Sequence, residues 1–170
     1  MSGKWIGAIL VIAGCGGFGF SIASGCKREE RLLKRLMRVV EYMQCALPYT
    51  MTPLPDLCRQ AGQEAGGTIG EIFLNLAREL EWQIAPDACS CMAEALKKSH
   101  EVPVKIKRLL LQLGRTLGQF DLPGQLKELS AVYSSCETEL KHIMQDQSSR
   151  LRSYQTLGLC AGIALAILFL

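Results

Sequence analysis

Two uncharged apolar stretches close the ends of this 170-residue chain, and everything between them is charged and patterned for helices. Residues 5–25, Trp5 to Gly25, hold no charge; as a helix at 1.5 Å per residue they span ~31 Å. That matches a hydrocarbon core of roughly 30 Å. From Thr156 the chain is again uncharged to Leu170. The reading is a transmembrane helix over 5–25, a helical domain over 27–153 and a second transmembrane helix over 156–170. At 15 residues the second is short, ~22 Å, so it needs a thinned bilayer or protein neighbours to cover the difference.

The charges beside each span set an orientation. Lys27, Arg28, Arg31, Lys34, Arg35 and Arg38 follow the first span, against Lys4 alone before it. Arg150 and Arg152 precede the second, and nothing basic follows. Lys and Arg near span ends favour the cytoplasmic side, so the middle is expected in the cytoplasm with both termini across the membrane. A cleaved leader competes for the N-terminus, because Ile12-Ala13-Gly14-Cys15 looks like a lipoprotein cleavage site. The basic run downstream is a stop signal rather than a passenger, and argues against cleavage.

A net charge of +3, concentrated beside the spans, argues against nucleic acid and for contact with anionic membrane lipid. The eight cysteines lack paired metal-site spacing, and His100 and His142 form no ligand array with them. No metal and no cofactor is expected, and a cytoplasmic location predicts reduced thiols. There is no phosphate loop and no nucleophile elbow. Gly14-x-Gly16-x-x-Gly19 spells a dinucleotide fingerprint, but inside the first span, with no strand before it. No nucleophile, base and orienting group stand together, so catalysis is not expected.

Between the spans the fold class is all-α, a six-helix bundle. The first helix reads from Glu29 to Ala46, with Leu32, Leu33, Leu36, Met37, Val40 and Met43 on one stripe. The second takes Thr52 as cap and Pro53 in its first turn, stopping near Gly66-Gly67. A capping box, Thr68-x-x-Glu71, opens the third, with Ile72, Phe73, Leu76, Ala77 and Leu80 inward. The fourth starts near Pro86-Asp87 and ends about Ser99; the fifth follows Pro103 and carries Ile106, Leu109, Leu110, Leu113 and Leu117. The sixth begins around Pro123, with a seam of Leu126, Leu129, Tyr133, Cys136, Leu140 and Ile143. No proline follows Gly124, so this helix is expected to run on into the second span.

Small residues recur every four positions in both spans: Ala13, Gly17, Ser21 and Gly25, then Gly158, Gly162 and Ala166. Such faces let membrane helices approach closely. In the bundle the most distinctive segment is Gly114-x-x-Leu117-Gly118-Gln119-x-Asp121. Two glycines four apart permit a close helix crossing or a helix end, with Gly118 left-handed and Asp121 capping the next helix.

That segment, followed by Gln125 and preceded by Thr52-Pro53-Leu54 at a helix start, resembles the stage III sporulation protein AB family, as does the layout of span, helical domain and terminal span. The family is in turn similar to the cytoplasmic domains of type II secretion F platform proteins, which carry Gly-Glu-x-x-Gly at the corresponding corner. Arg115 stands here where glutamate is usual. The resemblance implies an endospore former, the mother-cell membrane facing the forespore, and a channel-like complex. As partners it implies an ATPase of the same operon and other membrane components. On it, Gly114, Arg115, Gly118, Gln119 and Asp121 are the expected partner-binding group. The alternative is a self-associating scaffold or sensor, a homo-oligomer signalling through the long sixth helix.

Overall fold

The computed structural model describes residues 25, 27–49, 52–82, 86–99 and 102–169, the last 24 in backbone only. Among the described residues all regular structure is helical. Helix α1 spans 27–46. After it come α2 (Leu54–Ala65), α3 (Gly67–Glu81), α4 (Ala88–Lys97), α5 (Val104–Thr116) and α6 (Leu122–Phe169). The chain divides into two compact units: residues 29–140 form one, and the two chain ends, to Arg28 and from Lys141, form the other.

The 29–140 unit is the bundle, and its core follows helical periodicity. Leu33, Leu36, Val40 and Met43 of α1 are buried, as are Ile72, Phe73, Leu76 and Ala77 of α3 and Ile106, Leu110 and Leu113 of α5. Each large side chain so buried contributes roughly 1.5–3 kcal/mol. Val39, Ile69 and Val132 join this core although the sequence stripes omit them, while Met37 and Leu80 are only half-buried. Along α6, Leu129 and Cys136 are buried and Leu126, Tyr133 and Leu140 half-buried, so the alternating seam reads correctly.

Successive helices α2 to α5 pack each on the next. The Arg35 guanidinium donates to the Gly66 carbonyl at 2.9 Å, tying α1 to the turn between α2 and α3. Tyr42 donates its hydroxyl to Gln60 of α2, and Lys105 of α5 pairs with Glu139 of α6 at 3.0 Å. Exposed pairs of this kind hold orientation more than they stabilise.

Two helix starts differ from the sequence expectation. Pro53, not Thr52, is the cap of α2: Pro53 is extended (ψ 144°), and its carbonyl takes the first helix bond, from Leu57. The capping box of α3 does not form. Gly66 caps the helix at φ 59°, its carbonyl accepts the Gly70 amide, and Thr68 already lies inside the first turn. With Gly66 ending α2 and opening α3, no side chain is left in the cap position.

Of the other unit, Gly25 is helical and exposed, and α6 continues without a break to Phe169, as the missing prolines lead one to expect. Among the described residues no helix is long and apolar enough to cross a membrane. The first proposed span, including Ala13, Gly17 and Ser21, lies outside the described residues save Gly25. Of the second only the helical backbone is described, so the packing faces of Gly158, Gly162 and Ala166 lie outside them too.

Candidate functional site

The turn from α5 to α6 is built by local hydrogen bonds and two glycines. Thr116 donates its hydroxyl back to the Leu113 carbonyl at 2.8 Å, and the Leu117 amide donates to the same carbonyl at 3.2 Å. Leu117 then leaves the helix extended and stays buried. Gly118 turns the chain at φ 76°, a left-handed conformation that costs other residues roughly 1–2 kcal/mol. Asp121 follows at the cap position: its Oδ1 accepts the Gly124 amide at 3.3 Å and its carbonyl the Gln125 amide at 2.8 Å. This satisfies donors that open a helix.

Gly114 holds the corner to the bundle from the other side. A β-carbon there would stand 2.9 Å from the Met92 β-carbon and 3.2 Å from the Cys89 α-carbon. Glycine lets α5 and α4 meet at that distance. Arg115, on the next position, is exposed.

Beside the corner lies a groove of about 580 Å³ where four chain segments converge. Leu54 opens α2 and Leu80 stands near the end of α3; Pro86, Asp87 and Cys91 come from the start of α4, and Leu117 to Gln119 from the corner. Asp87 accepts the Ser90 hydroxyl, and its carbonyl takes the Cys91 amide.

The stage III sporulation protein AB family model matches residues 4–170. The chain belongs to that family. Stage III sporulation protein AB of Bacillus subtilis (strain 168) is 22% identical over 171 residues, covering 98% of this chain and 99% of that protein. A solved structure of stage III sporulation protein AB (SpoIIIAB) is similar with a TM-score of 0.60 at 21% identity, covering 69% of this chain and 94% of that one. The likeness to that structure is one of fold.

In this stage III sporulation AB chain, the five expected corner residues divide by role. Gly118 and Gln119 line the groove; Gly114 is buried against α4; Asp121 caps α6; Arg115 faces solvent. Sequence reasoning missed Leu54, Leu80, Asp87 and Cys91. Their signal was indirect: Pro53, Pro86 and Gly118 each mark a helix end, and the groove forms where those ends meet.

No cluster of three or more His, Cys, Asp or Glu suited to a metal occurs among the described residues. Cys58 and Cys136 are unbridged, and burial pushes both thiols up to about 12. They are neutral at physiological pH, and such buried thiols are inert. Cys45 is exposed.

Proposed function

We propose that this chain is a non-catalytic platform component of a secretion-like channel complex between mother cell and forespore, and that its bundle docks a cytoplasmic ATPase of the same operon. In this reading the chain crosses the mother-cell membrane twice and holds the bundle in the cytoplasm. Family membership over residues 4–170 supports the sporulation setting, and the uncharged ends with their basic flanks support the topology.

The observation that carries the docking role is the corner itself. Arg115 and Gln119 are exposed on a turn fixed by the left-handed Gly118, the Asp121 cap and the close contact of Gly114. Polar groups on a rigid turn suit recognition, since they lose little freedom on binding.

The test is capture of the purified ATPase by the full chain and by a double variant, Arg115→Glu with Asp121→Asn. The asparagine keeps a cap acceptor, so helicity should stay unchanged while capture weakens. Capture at the wild-type level would leave the corner a structural turn only.

A second reading, a self-associating scaffold, draws on the 48-residue continuity of α6 and its seam. It predicts a stable homodimer of residues 27–153 in light scattering, where the platform predicts a monomeric or weakly associating fragment.

A further inference from the structure

Helix α1 exposes charge of one sign along one side. Between residues 27 and 40 the exposed positions are Lys27, Arg28, Arg31, Lys34 and Arg38, and every one is a cation. They recur at three and four residues, so they form a single stripe down the helix, opposite buried Leu32, Leu33, Leu36, Val39 and Val40. The acids of the same stretch, Glu29 and Glu30, are half-buried, and Glu30 pairs with Lys34. The exposed acids of α1 and α2 are Glu41, past the end of the stripe, and Glu64. Two against five leaves the surface cationic.

Solubility alone does not require this. Over 130–138 the exposed positions of α6 are Ser130, Ala131, Ser134 and Thr138, none of them charged, so cations are not the general surface of this chain. A flank that only marks the cytoplasmic side needs no more than the cations nearest a span, and the stripe runs further. Stood upright on Gly25, where the uncharged stretch ends, α1 would lift Arg38 by ~20 Å, thirteen residues at 1.5 Å each. Headgroups fill roughly 5–8 Å of that height, and charge is screened beyond ~8 Å at physiological ionic strength. Upright, the outer end of the stripe meets mostly screened charge. Laid along the headgroups, all five cations meet lipid.

We propose that the α1 stripe is a lipid-binding surface: it lies along the anionic headgroups of the membrane that residues 5–25 enter, and carries the bundle on its α1 side. The inference rests on the transmembrane reading of residues 5–25 and adds the surface, the ligand class and the posture. Continuity favours lipid over an acidic protein as the occupant, because the stripe begins two residues after the uncharged stretch ends. Headgroup phosphates accept from ammonium and guanidinium groups, and the anionic leaflet attracts them within a Debye length.

The test uses the full chain in nanodiscs, with methionine methyl groups labelled for NMR and a nitroxide on a fraction of the lipid headgroups. Met37, half-buried and between Lys34 and Arg38 in the chain, is the reporter; fully buried Met92 of α4 is the reference. In discs of equal parts phosphatidylcholine and phosphatidylglycerol, Met37 should broaden well beyond its width in phosphatidylcholine alone, with Met92 changed less. Lys34→Gln with Arg38→Gln should abolish that difference. Lys107→Gln with Arg108→Gln removes the same charge from α5 and should leave it intact. The exposed Lys34–Glu30 pair contributes little to stability, and the methyl spectrum of the variant in phosphatidylcholine reports its fold.

Equal Met37 broadening in neutral and anionic discs overturns the inference, as does a difference that both double variants affect alike. Met37 indifferent to lipid charge, with ATPase capture lost in Lys34→Gln with Arg38→Gln, would assign the stripe to an acidic protein face instead. A chain that stays in phosphatidylcholine discs at high salt while Met37 ignores lipid charge keeps the transmembrane reading and loses only the stripe. If the chain washes out of those discs but Met37 still responds to anionic ones, the transmembrane reading falls and the stripe stands.

Discussion

Gly114 of α5 lies so close to Met92 of α4 that a β-carbon at position 114 would stand 2.9 Å from the Met92 β-carbon. Met92 is fully buried, and the next contact is the Cys89 α-carbon at 3.2 Å, so the obstruction is backbone and side-chain root rather than a mobile tip. The position of the corner beside the groove depends on this contact.

Gly114→Ala should therefore destabilise the bundle. Alanine gains up to about 1 kcal/mol over glycine in a helix interior, but forcing atoms into a packed core costs typically 1–3 kcal/mol. A net loss of about 1 kcal/mol is expected, read as a lower urea midpoint with an unchanged slope. A rise in midpoint would mean that α4 and α5 part without cost.

Gly118 tests backbone strain without crowding. Its φ is 76°, and a β-carbon there would meet only Leu54 Cδ2 at 3.6 Å, an ordinary contact. Gly118→Ala should cost roughly 1–2 kcal/mol, Gly118→Val more, and Gly118→Asn less because asparagine tolerates the left-handed region. Thermal unfolding of the three variants gives the order. An order following side-chain volume alone, with asparagine worse than alanine, would assign the cost to packing.

How much of this was legible in the sequence depends on the range of the cause. The α1 stripe from Leu32 to Met43 reads correctly save for half-buried Met37 and the omitted Val39, because burial of one face repeats every three or four residues. The Asp121 cap also reads correctly, since its acceptor and the Gly124 amide are three residues apart. Thr52 and Thr68 were misread as caps because the decision lay in one dihedral each, ψ of Pro53 and φ of Gly66. Of the groove, only the corner stretch Leu117 to Gln119 was legible. Leu54, Leu80, Asp87 and Leu117 come together only through tertiary packing, and no local pattern links them.

The buried thiols give a pH dependence with a definite sign. Burial raises Cys58 and Cys136 from 9.0 to about 12. Above pH 9 the unfolded chain releases these protons while the folded chain keeps them, so unfolding is favoured as pH rises from 9 towards 12. Below pH 9 neither thiol alters stability. The loss between pH 8 and pH 10.5 should be smaller in Cys58→Ala than in the parent, whatever the variant's absolute stability. Equal slopes would show that Cys58 ionises as freely in the fold as out of it. At pH 8 a thiol reagent should label exposed Cys45 quickly and Cys58 and Cys136 only after denaturation.

Glu79 and Lys98 form the ion pair whose loss should matter most. The Glu79 side chain is 5% exposed and its carboxylate lies 2.5 Å from the Lys98 ammonium, which is itself 60% exposed. Lys98→Ala strands a buried carboxylate. Removing one partner of a fully buried pair costs 3–5 kcal/mol, and the exposed lysine end reduces that here to about 1–2 kcal/mol through solvent screening. The pair Lys97–Glu94, with both side chains exposed, supplies the comparison, and Lys97→Ala should cost about 0–1 kcal/mol. Glu79→Gln combined with Lys98→Ala should recover part of the loss, because a neutral amide at the buried site needs no counter-charge. Urea unfolding of the parent and these three variants measures each term. Equal costs for Lys97→Ala and Lys98→Ala, with no recovery in the double variant, would mean that Glu79 draws its stabilisation from elsewhere in the bundle.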